Sequence, residues 1–280
     1  MTKMAFAALF GTAAMAVAAP AFAQDTTETG RFSGVYIGAS GGYDIQRNDV
    51  GSTIQFDRNL DGTFNDTVTT STGANAFSPG FCNGRATSSA NTACANDKDG
   101  WAYNARVGFD IQSGRFVVGA VGEFGKSEIS DSVSAFSTTP ASYTMTRTLD
   151  WEAAARLRAG LVAGDSTLFY GTGGVGYARI DREFTTSNTA NAFEGRGKRN
   201  QWGWQAGGGL EQLLGDNFSV GLEYMFHSYD DNDYRVRATR GSAPATNPFV
   251  LAPNTTGTDF KRLDEKFRWH SIRATAAFRF

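Results

Sequence analysis

The sequence predicts an all-β protein, an eight-stranded antiparallel up-and-down transmembrane β-barrel with long extracellular loops. Three observations carry that prediction. Stretches of about ten residues or a little more alternate polar and apolar side chains with the period of two that marks a strand greasy on one face. They come in pairs joined by turns of about three or four residues, and far longer polar connections separate the pairs. Beyond the first two dozen residues no run of roughly 18 apolar residues could cross a bilayer as a helix, and the composition is that of a β protein, with 33 Gly, 13% aromatic residues and only 6 Pro in 280 residues.

The chain opens on Lys3 and an apolar, alanine-rich run from Met4 to about Ala19, followed by Ala21 and Ala23 at the two small positions of an A-x-A cleavage site. Residues 1–23 therefore read as a secretory signal peptide and 24–280 as the barrel domain. A membrane anchor is disfavoured because the run is short and no stop-transfer charges follow. The formal charge of -2 is too mild an imbalance to argue for nucleic acid. Cys82 and Cys94 lie in one polar stretch of an exported chain, so they are expected to pair as a disulfide.

The first strand is GVYIGASGGYD, with Val35, Ile37, Ala39 and Tyr43 on one face and Gly38, Ser40 and Asp44 on the other. Three hairpins follow. Trp101 to Ile111 turns through QSG into Arg115 to Phe124; Trp151 to Val162 turns through AGDS into Thr167 to Ile180; Trp202 to Leu213 turns through LGDN into Phe218 to Ser228. The last strand, SIRATAAFRF, ends on Phe280 in mid-alternation. The long connections run about 56 residues (Ile45 to Gly100), then about 20 to 25, 20 and 40, which places short turns at the periplasmic end and loops outside.

Charge placement separates this barrel from a soluble one, which would turn apolar side chains inward. Opposite the apolar face lie Arg106, Arg156, Arg158, Arg179 and Arg273 against Asp110, Glu123, Glu152, Glu211 and Glu223. Equal numbers of bases and acids suggest an interior ion-pair network filling a lumen about one side chain wide. Inward glycines would make room for it. Trp101, Tyr103, Trp151, Trp202, Trp204, Tyr224 and Phe226 are placed as an outer aromatic girdle, and Phe109, Leu168, Phe218, Phe278 and Phe280 as a periplasmic one.

The signal peptide, GVYIGASGGY, GWQAGGGLEQLLGDNFSVGLEYMF and the terminal FRF resemble the small outer-membrane β-barrel proteins of Gram-negative bacteria, the OmpA/OmpX-like porin-family group of opacity and surface-antigen type. The resemblance covers essentially the whole mature chain and speaks to fold more than to activity. It implies residence in the cell outer membrane, surrounded by outer-membrane lipid and lipopolysaccharide. It also implies that Phe278 and Phe280 form the aromatic-x-aromatic signal read by the outer-membrane assembly machinery, with Thr275 standing where that signal often has Gly. A monomer is expected, with no nucleic acid partner and no cofactor.

Other motifs weigh little. GTGGVG satisfies G-x-G-x-x-G at Gly171, Gly173 and Gly176 but no helix follows, and GKS at Gly125 to Ser127 lacks the first Gly of a P-loop. FHSYD raises lipid A chemistry by a His-activated Ser, yet His227 and Ser228 are adjacent strand residues on opposite faces, as are His270 and Ser271; only a cross-strand pair such as His227 with Ser271 remains. Asp57, Asn59 and Asp61, then Gly62, resemble half a calcium loop, but Val68 stands where the bidentate Glu belongs, so they are a weak metal candidate. The expected role is structural and surface-interactive, not enzymatic, with loops 1 and 4 as candidate recognition surfaces; a narrow diffusion pore is the alternative.

Overall fold

The computed structural model describes residues 30–46 and 52–280, so the expected signal peptide lies outside the described residues. Eight long strands form the barrel: β1 (Gly34–Ile45), β2 (Gly100–Ser113), β3 (Phe116–Ser127), β4 (Ala141–Ala163), β5 (Thr167–Thr186), β6 (Asn200–Leu214), β7 (Phe218–Asp230) and β8 (Lys266–Arg279). Each pairs antiparallel with its neighbours in sequence, and β8 closes on β1 through Ile37↔Phe278 and Tyr43↔Ile272. Closure leaves no edge in the membrane, which lipid, offering no hydrogen bonds, requires.

The alternation is clean where the sequence alternates cleanly. In β2 the side chains of Ala102, Asn104, Arg106 and Asp110 are buried, while Trp101, Tyr103, Val107, Phe109 and Ile111 are exposed on the outer surface. Three short turns join the strands at the periplasmic end. Each holds a glycine in the left-handed region that other residues enter at a cost, Gly114 at φ 58°, Gly164 at 62° and Gly215 at 80°. Arg31 clasps two of these turns, donating to the carbonyls of Asp165 and Gly215.

β4 and β5 run well past the expected ends at Trp151 and Ile180, to Ala141 and Thr186. Their upper halves pair with each other, and β4 also pairs with the strand Ser130–Ser137, which in turn carries Phe81–Asn83. Facing this extension is a four-stranded sheet in the order Ala192–Arg196, Arg235–Thr239, Thr258–Arg262, Ile54–Asp57, drawn from loops 3, 4, 4 and 1. Between them lies an apolar core that includes Phe56, Phe77, Tyr143, Met145, Phe249 and Phe260. The connections are therefore one folded cap above the barrel. The Cys82–Cys94 disulfide, with Cα atoms 6.3 Å apart, joins two points of the first loop beside the strand Phe81–Asn83, whose pairing with Ser130–Ser137 ties that loop into the cap.

Candidate functional site

The lumen is filled from bottom to top. At the periplasmic end Phe32, Val117, Val162, Leu168 and Leu213 pack together. Above them Asp110, Arg158, Glu211 and Arg279, one from each even-numbered strand, close a ring of alternating charge. Arg158 donates from Nε to Asp110 (2.7 Å) and from Nη1 to Glu211 (2.8 Å); Arg279 donates to Asp110 (2.9 Å) and to Glu211 (3.0 Å). The Tyr36 ring lies between the two guanidiniums, 4.9 Å and 4.8 Å from them, a cation–π contact on each side.

The next layers hold Arg106, Glu123, Arg156, Glu223, Arg273 and Glu152. Arg106 pairs with Glu123 and, at 2.9 Å, with Glu223; Arg156 lies 2.6 Å from Glu123; Arg273 reaches Glu123 and Glu152 at 3.4 Å each. Tyr170 donates to Glu223 at 2.9 Å. Each charge here is buried and has a partner of opposite sign, which is the condition under which burial is tolerated.

At the same height His227, also buried, has Glu152 3.3 Å from Nδ1 and both Ser271 (3.0 Å) and Arg273 (2.8 Å) at Nε2. The cross-strand pair left open by the sequence thus forms, and with Glu152 it has the order of a Ser-His-carboxylate array. Its surroundings oppose nucleophilic chemistry. The Ser271 hydroxyl donates to Asp44, the Arg273 guanidinium occupies the face of Nε2 that a base would use, and both His227 and Ser271 have 0% exposure. Trp269 stacks on the imidazole at 4.7 Å and 7° and closes it from above.

Trp269 belongs to an apolar layer with Ile129, Leu149, Ala178, Ile180, Tyr229 and Phe267. Gly176 is required there, since a Cβ would sit 2.1 Å from the Tyr229 hydroxyl. Above this layer, where the barrel meets the cap, Arg147 is buried among Asp131, Asp231 (3.1 Å) and Asp264 (3.0 Å), while Arg182 pairs with Asp231 and Arg262 with Asp131 (2.8 Å). Burial alone would raise the Asp131 pKa, but Arg147 and Arg262 more than reverse it and hold the carboxyl below the ordinary aspartate range.

Of the ten interior residues expected from sequence, nine enter the lumen. Arg179 does not. A β-bulge opposite Arg179/Ile180 on β5 leaves Asp150 without a partner in the ladder, Ala178 and Ile180 take the inward positions, and Arg179 lies outside, 40% exposed and 3.3 Å from Asp150. Leu168 is the converse case: it faces inward at 0% exposure, and Phe169 takes the periplasmic girdle position. Arg279, Tyr36, Tyr170 and His227 lie outside those ten, while Asp44, on the polar face of the first strand by its alternation, is buried as that face requires. The signal for Arg279 was present, because an alternation that turns Phe278 and Phe280 outward turns Arg279 inward.

The calcium candidate folds onto itself. Asp57 accepts from the N–H groups of Asp61 and Gly62, Asn59 from that of Asp61, and Asp61 from that of Thr63, so these oxygens serve their own turn. The Thr63 N–H and the Asn59 side chain hold the Asp61 carboxyl below its usual range. Among the described residues no group of three His, Cys, Asp or Glu side chains is arranged to hold an ion.

Residues 7–243 match the outer membrane protein beta-barrel domain family. Over 182 residues the chain is 25% identical to the 31 kDa outer-membrane immunogenic protein of Brucella melitensis, covering 65% of this chain and 67% of that one, and the same figures hold for the protein of that name from Brucella suis. Among solved structures, the outer membrane protein OprG from Pseudomonas aeruginosa superposes with a TM-score of 0.50 at 13% identity, over 90% of this chain and 98% of that chain, a likeness of fold. With eight strands closed on themselves, aromatic side chains outside and paired charges within, the chain belongs to the outer membrane protein β-barrel family and resides in the cell outer membrane.

Proposed function

We propose that the protein is a closed, non-conducting barrel that anchors its cap at the cell surface, and that the cap is an interaction surface. The single observation that carries this is the filled lumen: two apolar layers and the ionic layers between and above them occupy it from Phe32 to Arg147. Loops 1 and 4 supply three of the four strands of the facing sheet, which supports their role in recognition. The Brucella relatives are named as immunogenic, in keeping with a displayed surface in those proteins.

In planar bilayers the purified protein is expected to give no steady single-channel openings; steady openings would replace this reading by that of a narrow porin. The protein is further proposed not to be an enzyme, because Ser271 and His227 are sealed under Trp269. Lipid A acylation patterns should be identical with wild type, His227→Ala and Ser271→Ala. Around the barrel we place outer-membrane lipid and lipopolysaccharide, and at its base Phe278 and Phe280 as the assembly signal, both outward-facing.

A further inference from the structure

We propose that the cap carries a slot for one extended, acidic segment of a partner polypeptide, taken up as an added β-strand between the upper end of β5 and the strand Ala192–Arg196. The proposal rests on the reading of the cap as an interaction surface and names the chemistry of its partner.

Residues 181–186 of β5 are laddered to β4, from Asp181↔Thr148 to Thr186↔Tyr143, while the ladder between β5 and β6 stops at Arg179↔Asn200. The next strand in the chain, Ala192–Arg196, is laddered only to Arg235–Thr239. Five residues, Ser187 to Asn191, join the two, a connection that ordinarily makes a paired hairpin. Among the described residues these two strands share no ladder.

The turn between them is held from both sides. Ser187 donates its N–H to Ser142 (3.1 Å) and accepts from the N–H of Ser142 (2.9 Å), fastening one end to β4. Asn191 donates to the Thr239 carbonyl (2.9 Å), fastening the other end to the facing sheet. At the foot, Tyr234 stands against Gly195 and Gly197. The result is a groove of about 510 Å³, within the range of ligand sites.

Its chemistry selects the occupant. Two strand edges offer unpaired backbone N–H and C=O groups, the template for an added strand. Phe184 and Phe193, with ring centroids 5.1 Å apart, give an apolar floor for every second side chain of the guest. Three arginines, Arg182, Arg196 and Arg199, line the groove against one acid, Glu183; the side chains of Arg196 and Arg199 are 49% and 61% exposed, and each spends one terminal nitrogen on an aspartate, Asp259 and Asp181. A guanidinium has five N–H donors, so both keep donors for a carboxylate on the guest.

The test uses the full chain folded in nanodiscs, with hydrogen–deuterium exchange read at residues 181–186 and 192–196. The probes are acetylated, amidated five-residue peptides alternating Val or Thr with Asp. Without peptide, the amides of both edges that point away from their existing ladders should exchange about tenfold or more faster than those of Arg235–Thr239; with peptide they should become protected saturably. N-methylation of alternate peptide nitrogens should abolish protection. Lys in place of Asp, or the variant Arg199→Gln, should weaken binding about tenfold, the equivalent of about 1.4 kcal/mol. Edges already protected in the free protein, protection by none of the acidic peptides, or equal protection by the N-methylated ones would each overturn the slot. Bilayer silence is measured separately, so failure here leaves the closed barrel standing, and conduction would remove the closed barrel without touching the slot.

Discussion

Glu211 accepts from Arg158 and Arg279, and its side chain is 8% exposed. Glu211→Gln would leave two buried guanidiniums sharing Asp110 alone, and removing one partner from a buried pair costs about 3–5 kcal/mol. Arg179→Gln breaks a pair with Asp150 whose side chains are 40% and 32% exposed, where screening reduces the effect to about 0–1 kcal/mol. Urea unfolding from lipid vesicles, followed by tryptophan fluorescence, should therefore show a large midpoint shift for Glu211→Gln and almost none for Arg179→Gln; equal shifts would mean that Glu211 and Arg179 are mis-sorted between lumen and surface. This contrast also marks what one residue could tell from sequence. Where polar and apolar residues alternate strictly, as from Trp101 to Ile111, facing follows from parity alone. In the stretch from Thr167 to Ile180, glycines at 171, 173, 174 and 176 suit either face, so parity was lost, and Leu168 and Arg179 came out on the wrong sides.

The barrel strands were legible as elements because each alternates with its own period and pairs with its sequence neighbour. The cap was not, because its strands are short and pair across the chain. Ile54–Asp57, for example, joins Thr258–Arg262 some two hundred residues away, and no local pattern specifies that partner. Phe260 is its keystone, with rings of Phe56, Phe249 and Tyr143 at 5.0, 5.2 and 5.8 Å. Phe260→Ala should cost about 3–5 kcal/mol of cap stability, seen as protease cleavage in the loops while the barrel keeps its heat-modifiable mobility; loss of that mobility as well would mean that cap and barrel fold as one unit. The cap is also joined to the barrel by Asp131, whose folded pKa lies below its unfolded one. A depressed carboxylate contributes stability that is present above about pH 4 and is lost as the pH falls through the folded value. Hydrogen exchange in Ser130–Ser137, corrected for intrinsic rate, should therefore accelerate below about pH 4. Asp131→Asn should lose that pH dependence; an unchanged acid response in the variant would assign it to another group.

At the scale of the molecule, the fillings of the lumen act in series, and a path conducts only if every barrier along it opens. The apolar layer around Trp269 is built of Ile129, Leu149, Ala178, Ile180 and Phe267, its Tyr229 hydroxyl is spent on Glu152 and Gln205 below, and narrow apolar constrictions exclude water. Beneath it the ring of Asp110, Arg158, Glu211 and Arg279 is crossed by its own hydrogen bonds, and Phe32, Val162, Leu168 and Leu213 form the floor. Trp269→Ala alone should consequently remain silent in planar bilayers, as should Phe32→Ala alone. Trp269→Ala with Arg158→Ala and Phe32→Ala still leaves the layers of Arg106, Glu123, Arg156, Glu223, Arg273 and Glu152 and the Arg147 cluster closed, so this triple variant, provided it still runs as a folded band before heating, should be silent as well. Conduction by Trp269→Ala alone would mean that the ionic layers pass water and ions despite their hydrogen bonds, so that the seal is one gate. Steady openings by the folded triple variant would mean that the ionic layers it keeps, up to Arg147 and its aspartates, pass ions, so that the seal lies in the three layers it opens.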